Sequence, residues 1–152
     1  MIEIFGDMFS REMLKKFEVI CITTNGCIKK DKHYYKAVMG AGVAKQFSNM
    51  YPLSPSILGQ KILVNGNIVQ PIMKDYETIF VSFPTKHHFK DKSDINLISE
   101  SCNQLLEYVN ENNFKKILLP RPGCSNGGRN WEKEIKPILK KILDGRFYVI
   151  TR

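Results

Sequence analysis

The sequence predicts a three-layer α/β/α fold around a central, mixed β-sheet. Residues 19–24 (VICITT) are apolar and β-branched, which is typical of a buried central strand. Apolar residues between positions 95 and 109 recur at helical spacing and predict a long amphipathic helix. Segments of these two kinds alternate along the chain, which favours helices packed on both faces of a sheet. An Asn-Gly pair at residues 65–66, between two apolar runs, predicts an inserted antiparallel hairpin.

The remaining elements follow from local signals of the same kind. The predicted strands are residues 2–5, 19–24, 61–64, 68–73, 78–83, 116–119 and 147–151. The predicted helices are residues 10–17, 39–49, 95–112 and 131–143. Ser10 is expected to cap the first helix, and either Ser93 or Asp94 the third. Residues 27–36 are polar and basic, and we expect them to form a loop.

The composition is that of one globular domain spanning residues 1–152. Hydrophobic residues make up 43% and charged residues 25% of the chain, which is enough to bury a core without disulfide bonds. The N-terminus lacks the pattern of a secretory signal, and no apolar run approaches the roughly 18 residues of a membrane span. The four cysteines form no CxxC pair. We therefore expect a cytoplasmic protein without a metal, a cofactor or a membrane contact, and a monomer by default.

The net charge of +8 favours an anionic partner such as nucleic acid, a nucleotide or an anionic lipid. The lysines are spread along the chain rather than collected in one block, so many of them can belong to solvated helix faces. Charge alone therefore does not separate a nucleic-acid-binding protein from an ordinary basic protein.

Two glycine-rich segments follow predicted strands and precede predicted helices. They are residues 39–44 (MGAGVA) and residues 123–128 (GCSNGG). Glycine lets a backbone approach a ligand closely, and the free N–H groups of a helix start attract anions. Either segment alone is equally compatible with a tight helix start or a plain glycine loop, and neither is a Walker loop. Together, two such anion nests suit a ligand with two phosphates.

Two other segments place reactive side chains just after strands. Lys86 follows the strand at residues 78–83 and is a candidate phosphate partner or nucleophile. His87 and His88 are adjacent, so their side chains are expected to diverge and a metal-binding pair is not expected. Asp7 follows the first strand, where it can accept from an exocyclic amine or serve as a turn residue.

In this order, these segments resemble the macrodomain family of ADP-ribose-binding domains. Residues 6–9 (GDMF) are similar to its adenine-binding motif, and residues 38–47 (VMGAGVAKQF), after the TTNG of residues 23–26, to its first diphosphate loop. Residues 119–131 (LPRPGCSNGGRNW) are similar to its second phosphate loop. Residues 83–89 (FPTKHHF) resemble the segment with the catalytic lysine in antitoxin macrodomains that remove ADP-ribose from DNA bases. The terminal ADP-ribose protein glycohydrolase belongs to the same branch.

The resemblance implies a role for each segment. Asp7 would bind the adenine amine, the backbone of Met8 the adenine ring, and Asn25 the distal ribose. Lys86 would be the catalytic residue, attacking or polarising the anomeric carbon of that ribose. The ligand-binding residues that the resemblance implies are Asp7, Met8, Asn25, Gly40, Ala41, Gly42, Val43, Pro120, Gly123, Cys124, Ser125, Asn126, Gly127 and Gly128.

The second loop departs from the family pattern at two positions. Gly127 and Asn130 stand where close relatives often carry acidic residues, and the protein-directed glycohydrolase uses such an acid beside its lysine. The function we expect is therefore an ADP-ribosyl glycohydrolase that acts on bases of DNA or RNA through Lys86. The alternatives are a non-catalytic reader of ADP-ribose and a phosphatase for ADP-ribose 1''-phosphate. The lysines of residues 27–36 either contact a nucleic-acid backbone or are simply solvated.

Overall fold

The fold is built on a six-stranded sheet, seen in a computed structural model that describes residues 1–152. The strands are β1 (Ile2–Phe5), β2 (Val19–Thr24), β3 (Ile28–Lys30), β4 (Tyr35–Ala37), β5 (Gln70–Asp75), β6 (Thr78–Pro84), β7 (Ile117–Pro120) and β8 (Phe147–Thr151). The sheet has the order β1-β8-β7-β2-β6-β5, and only the edge strand β5 runs antiparallel to its neighbour. β3 and β4 form a separate antiparallel hairpin. The predicted mixed sheet is therefore confirmed.

Helices cover both faces of this sheet. They are α1 (Arg11–Lys16), α2 (Gly42–Met50), α3 (Ser54–Asn65), α4 (Ile95–Asn112) and α5 (Lys136–Ile142), the last preceded by a π-helical turn at Trp131–Ile135. Alternate residues of β2 enter two different apolar clusters: Cys21 packs with α4 and α5, and Ile22 packs with α1, α2 and α3. Because successive strand residues point to opposite faces, the two clusters lie on opposite sides of the sheet. The predicted three-layer architecture is confirmed.

The strand predicted at residues 61–64 is wrong, because these residues form the C-terminal part of α3. Leu58 and Ile62, one turn apart, are buried, whereas Leu63 and Val64 are exposed. A run of three apolar residues, Ile62 to Val64, does not distinguish a strand from a half-buried helix. The Asn-Gly pair ends this helix instead of turning a hairpin, since Gly66 has φ +91° and can serve as a helix cap.

The antiparallel hairpin of the sheet therefore lies elsewhere, between β5 and β6. Its connection includes Tyr76, which adopts a positive φ of 52°. The loop predicted at residues 27–36 is also wrong, because it folds into the β3–β4 hairpin. This hairpin lies directly on α3: a β-carbon at Gly59 would come within 2.6 Å of the Tyr35 carbonyl oxygen.

The predicted caps are largely confirmed. The Ser10 hydroxyl accepts a hydrogen bond from the Met13 amide at 3.3 Å. Of the two candidates for α4, Asp94 is the cap and accepts from the amides of Asn96 and Leu97. No helix of the chain has the length and apolar character that crossing a membrane requires.

Candidate functional site

A cleft of about 910 Å³ opens where five parallel strands end. The carboxyl ends of parallel strands meet at one edge of a sheet, and ligands of open α/β sheets bind there. The segments after β1, β8, β7, β2 and β6 all line the cleft, in the order in which the strands lie in the sheet. Asp7, after β1, and Lys86, after β6, therefore lie at opposite ends. Four spacings of about 4.8 Å separate those strands, or about 19 Å in total.

The first glycine-rich loop leads into α2, whose N-terminus has no side-chain cap. The amides of Gly42, Val43 and Ala44 consequently have no hydrogen-bond acceptor within the protein. All three residues line the cleft. Gly42 has a backbone φ of +58°, which residues other than glycine rarely adopt. The positive end of the helix dipole and the free N–H groups make this loop a site for an anion.

The second glycine-rich loop presents another set of unpaired amides, those of Ser125, Asn126 and Gly127. The loop is held from behind, because the Ser93 amide donates to the Gly127 carbonyl at 3.0 Å. It also meets the first loop, since a β-carbon at Gly42 would lie 2.9 Å from the Asn126 side-chain nitrogen. The two loops therefore offer two adjacent anion nests in one cleft.

Gly127 cannot carry a side chain in this structure. A β-carbon there would overlap the Ser93 hydroxyl oxygen and lie 2.5 Å from the Gly123 carbonyl oxygen. Asn130 has its own structural task, because its side chain accepts from the Lys133 amide at 2.8 Å and caps the following helix. Gly127 therefore has a packing role and Asn130 a capping role at the two positions where close relatives often carry an acid.

Lys86 is half-buried at the far end of the cleft. Its ammonium donates to the carbonyls of Asn126 at 3.3 Å and Phe89 at 3.4 Å, so it reaches the second glycine-rich loop. The Lys86 carbonyl accepts from the Asn67 side chain at 3.0 Å. Asn67 also packs against Gly26, where a β-carbon would come within 2.5 Å of its amide nitrogen. Asn67 therefore ties the Lys86 segment to the turn after β2.

Cationic side chains outnumber acidic ones in the lining of the cleft. The cationic side chains in its lining are Lys29, Lys86, Arg121, Arg129 and Arg152, and the one acid is Asp7. Arg129 is fixed by bonds to the Ser93 carbonyl at 2.7 Å and to Glu134 at 3.2 Å. Hydrogen bonds from the Asn130 amide, and then from Arg129, hold the pKa of Glu134 below its ordinary value. The excess of positive charge favours an anionic ligand.

Two hydroxyls of the lining, on Thr24 and Ser93, are buried and have no hydrogen-bond partner. Buried polar groups are nearly always paired, which makes these two hydroxyls exceptions within the protein. Burial raises the pKa of the Cys124 thiol to about 11, so this cysteine is protonated at neutral pH and is not a nucleophile. No group of three or more His, Cys, Asp or Glu side chains is arranged to hold a metal ion.

Most of the site residues proposed from the sequence come together in this cleft. The exception is Gly128, which lies outside the lining and faces the Lys92 side chain. Asn25 lines the cleft, but its side chain already bonds to the Val38 carbonyl and the Cys27 amide. Asp7 keeps one carboxylate oxygen bonded to the Phe9 amide at 3.0 Å.

Several residues of the site were missed by sequence reasoning. They are Thr24, Asn67, Ser93, Arg121, Arg129 and Arg152. Arg152 could have been found from its position just after a predicted strand, and Thr24 from its position at the end of one. Asn67 had no such signal, because its role depends on the true end of α3.

No family model matches the chain. A DNA ADP-ribosyl glycohydrolase from Thermus aquaticus is 32% identical over 119 residues, which is 70% of this chain and 31% of that protein. The chain spans about a third of the length of the curated relatives it matches. The similarity to these relatives is therefore confined to one part of each.

Solved structures show the same fold. The macrodomain of Thermus aquaticus DarG superposes with a TM-score of 0.77 at 22% identity, covering 99% of this chain and 97% of that one. Thermosipho africanus DarTG in complex with ADP-ribose superposes with a TM-score of 0.75 at 20% identity. That superposition covers 98% of this chain and 41% of the DarTG chain.

Proposed function

Because the chain belongs to the macrodomain family and is related to the DarG macrodomains, we propose that it removes ADP-ribose from nucleic-acid bases. ADP-ribose would lie along the cleft with its diphosphate between the two glycine-rich loops. The position of Lys86 carries the proposal. It lies at one end of a cleft whose middle holds six unpaired amides suited to phosphates.

The order of groups along the cleft supports this orientation of the ligand. The free carboxylate oxygen of Asp7 can accept from the amine of adenine at one end. The diphosphate then meets the unpaired amides of α2 and of the second loop, and the helix dipole of α2 favours its negative charge. The distal ribose reaches Lys86 at the other end of the cleft, beyond four strand spacings of about 4.8 Å each.

The proposed reaction breaks the bond between the anomeric carbon of the distal ribose and the base. Water supplies the oxygen that bonds to this carbon, the departing base takes up a proton from Lys86, and the proton that water loses restores Lys86. The Lys86 ammonium has three N–H groups and uses two of them on carbonyls, which leaves one for the departing base or the ribose. Lys86 is the group proposed to supply that proton as general acid.

The substrate class follows from what the second loop lacks. With Gly127 and Asn130 committed to packing and capping, no acidic side chain of this loop stands beside Lys86. We therefore expect nucleic-acid conjugates, and not protein conjugates, to be hydrolysed. The test compares release of ADP-ribose from modified single-stranded DNA, single-stranded RNA and protein under identical conditions. Release from protein alone would contradict the proposal.

A reader without turnover is the second candidate, and the packing at Gly127 is the observation that favours it. In that case the purified protein would bind free ADP-ribose in a calorimetric titration and leave every conjugate of the panel intact. Binding together with release from nucleic acid supports the glycohydrolase instead.

Gly40→Val is expected to lower the affinity for ADP-ribose about tenfold or more without lowering Tm. Gly40 lines the cleft, and no protein atom lies within 4 Å of a β-carbon built there. The added side chain therefore meets the ligand and not the protein. Gly145→Val is the matched control, because Gly145 is equally unobstructed but lies outside the cleft. Equal affinity for all three proteins would argue against ADP-ribose in this cleft.

A further inference from the structure

Two segments form a basic surface beside the Lys86 end of the cleft. The basic rim, as we call it, comprises Lys29, Lys30, Lys32 and Tyr34 of the β3–β4 hairpin together with Phe89, Lys90 and Lys92. The two segments adjoin, because the Cys27 thiol at the base of the hairpin lies 3.7 Å from the His87 carbonyl oxygen. Lys29 and Phe89 also line the cleft, so the rim continues directly into it.

The hairpin is held in a fixed orientation. Ala37 and Ile28, opposite each other in the hairpin, pack into the apolar cluster beneath α3. Its backbone lies against Gly59, where no β-carbon would fit. Because side chains alternate along a strand, Lys29 and Lys36 project from the other face. Packing therefore fixes the strand that carries Lys29 and Lys30, and Lys32 and Tyr34 lie in the short turn that joins β3 to β4.

Most of the positive charge of the rim is unpaired. Lys36 bonds to Asp31 at 3.0 Å, which satisfies the one acid of the hairpin. The five lysines of the rim itself form no salt bridge. Two carboxylates lie close to these lysines in the sequence: Asp94 bonds to His87 at 3.0 Å, and Asp91 forms no salt bridge. Several unpaired lysines on one exposed surface favour contacts with a chain of phosphates.

Exposed aromatic rings lie among these lysines. The side chains of Tyr34 and Phe89 are 45% and 43% exposed, and His88 stacks on Phe89 with ring centroids 4.4 Å apart. Aromatic rings set in a basic surface are typical of proteins that bind single strands, because the bases stack on the rings. A duplex would keep both its bases and a modified base inside the helical stack.

We infer that the basic rim binds the single strand of nucleic acid that flanks the modified base, a role that rests on the proposed function. Backbone phosphates contact the lysines, and neighbouring bases stack on Tyr34 and Phe89. The rim thereby guides the attached ADP-ribose into the cleft from the Lys86 end, where the bond to the base would be cleaved.

The test measures the affinity for an unmodified, fluorescent 12-mer of single-stranded DNA over a range of salt concentrations. The variant is Lys30→Ala/Lys32→Ala/Lys90→Ala, whose three lysines lie on the rim but do not line the cleft. Each phosphate contact in a single strand contributes about 0.7 to the salt slope, so the variant should lose about 2 from it. The matched control is Lys133→Ala/Lys140→Ala/Lys141→Ala, which removes the same charge from exposed positions near α5.

A loss of slope in the rim variant alone supports the inference, as does about tenfold weaker binding by Tyr34→Ala. Equal losses in both triple variants would overturn it, because only net charge would then matter. Tighter binding of a duplex of the same sequence than of single-stranded DNA and RNA would overturn it as well. Titration with free ADP-ribose keeps the proposed function separate, since the rim variant should bind ADP-ribose like the wild type.

Discussion

Lys86→Ala is expected to slow the release of ADP-ribose from modified single-stranded DNA by about 10²- to 10⁴-fold, the usual contribution of a positioned proton donor. The amides that face the diphosphate come from the two glycine-rich loops and not from Lys86. The affinity for free ADP-ribose should therefore change far less than the rate. Release is measured at saturating enzyme, and affinity is measured by calorimetry.

Two further variants test whether Lys86 acts by proton transfer and whether the effect is specific to this lysine. Lys86→Arg keeps the positive charge but does not give up a proton at neutral pH, so it should remain slow if proton transfer matters. Lys140→Ala removes an exposed lysine of α5 outside the cleft and should leave the rate unchanged. A rate for Lys86→Ala within a fewfold of the wild type would eliminate Lys86 as the catalytic group.

Gly127→Ala should both destabilise the protein and weaken its binding of ADP-ribose. The new β-carbon would overlap the Ser93 hydroxyl and lie 2.5 Å from the Gly123 carbonyl oxygen. The Gly123 oxygen belongs to the backbone, so the second loop has to move to make room. We expect a loss of about 1–3 kcal/mol in the free energy of unfolding, as for other overpacked sites. The amides of Ser125 and Asn126 move with the loop, so affinity should fall about tenfold or more.

Denaturant titration and calorimetry measure the two effects of Gly127→Ala. Gly145→Ala is the control, because a β-carbon there meets no atom within 4 Å. Ser93→Ala/Gly127→Ala removes one of the two overlaps and should recover part of the stability, which makes the double variant less damaging than the sum of the singles. Wild-type stability and affinity for Gly127→Ala would contradict the packing argument, because the loop would then have room for a β-carbon.

The architecture could be predicted from the sequence because its signals are local. The apolar run of β2 and the helical spacing of α4 depend on burial within one element. The strand order then brings the predicted loops to one edge, since the carboxyl ends of parallel strands share it. This explains why Asp7 and Lys86, nearly 80 residues apart in the chain, line the same cleft.

The errors lie where tertiary contacts decide between two local readings. Residues 61–64 were apolar enough for a strand, but packing of Leu58 and Ile62 on the sheet makes them helical. Residues 28–37 carry four lysines, which are typical of a loop. They form a hairpin because the side chains of Ile28 and Ala37 pack into the apolar cluster that includes α3. Polar composition indicates that a segment is exposed, but an exposed segment can still form strands.

The supporting residues of the site were less predictable than its loops. Asn67 positions Lys86 from a connection whose place depends on the true end of α3. Gly127 packs closely against Ser93, 34 residues away in the chain, and no sequence pattern indicates this contact. Such contacts become visible only once the loop and the start of α4 are in place.

The central claim is that the cleft between the two glycine-rich loops binds ADP-ribose. The most direct measurement is a titration of isotope-labelled protein with ADP-ribose, followed by NMR at the backbone amides. We expect the largest shifts at Gly42, Val43, Ser125 and Gly127, whose N–H groups are unpaired and line the cleft. Shifts confined to other surfaces, or no shifts at saturating ADP-ribose, would contradict the account.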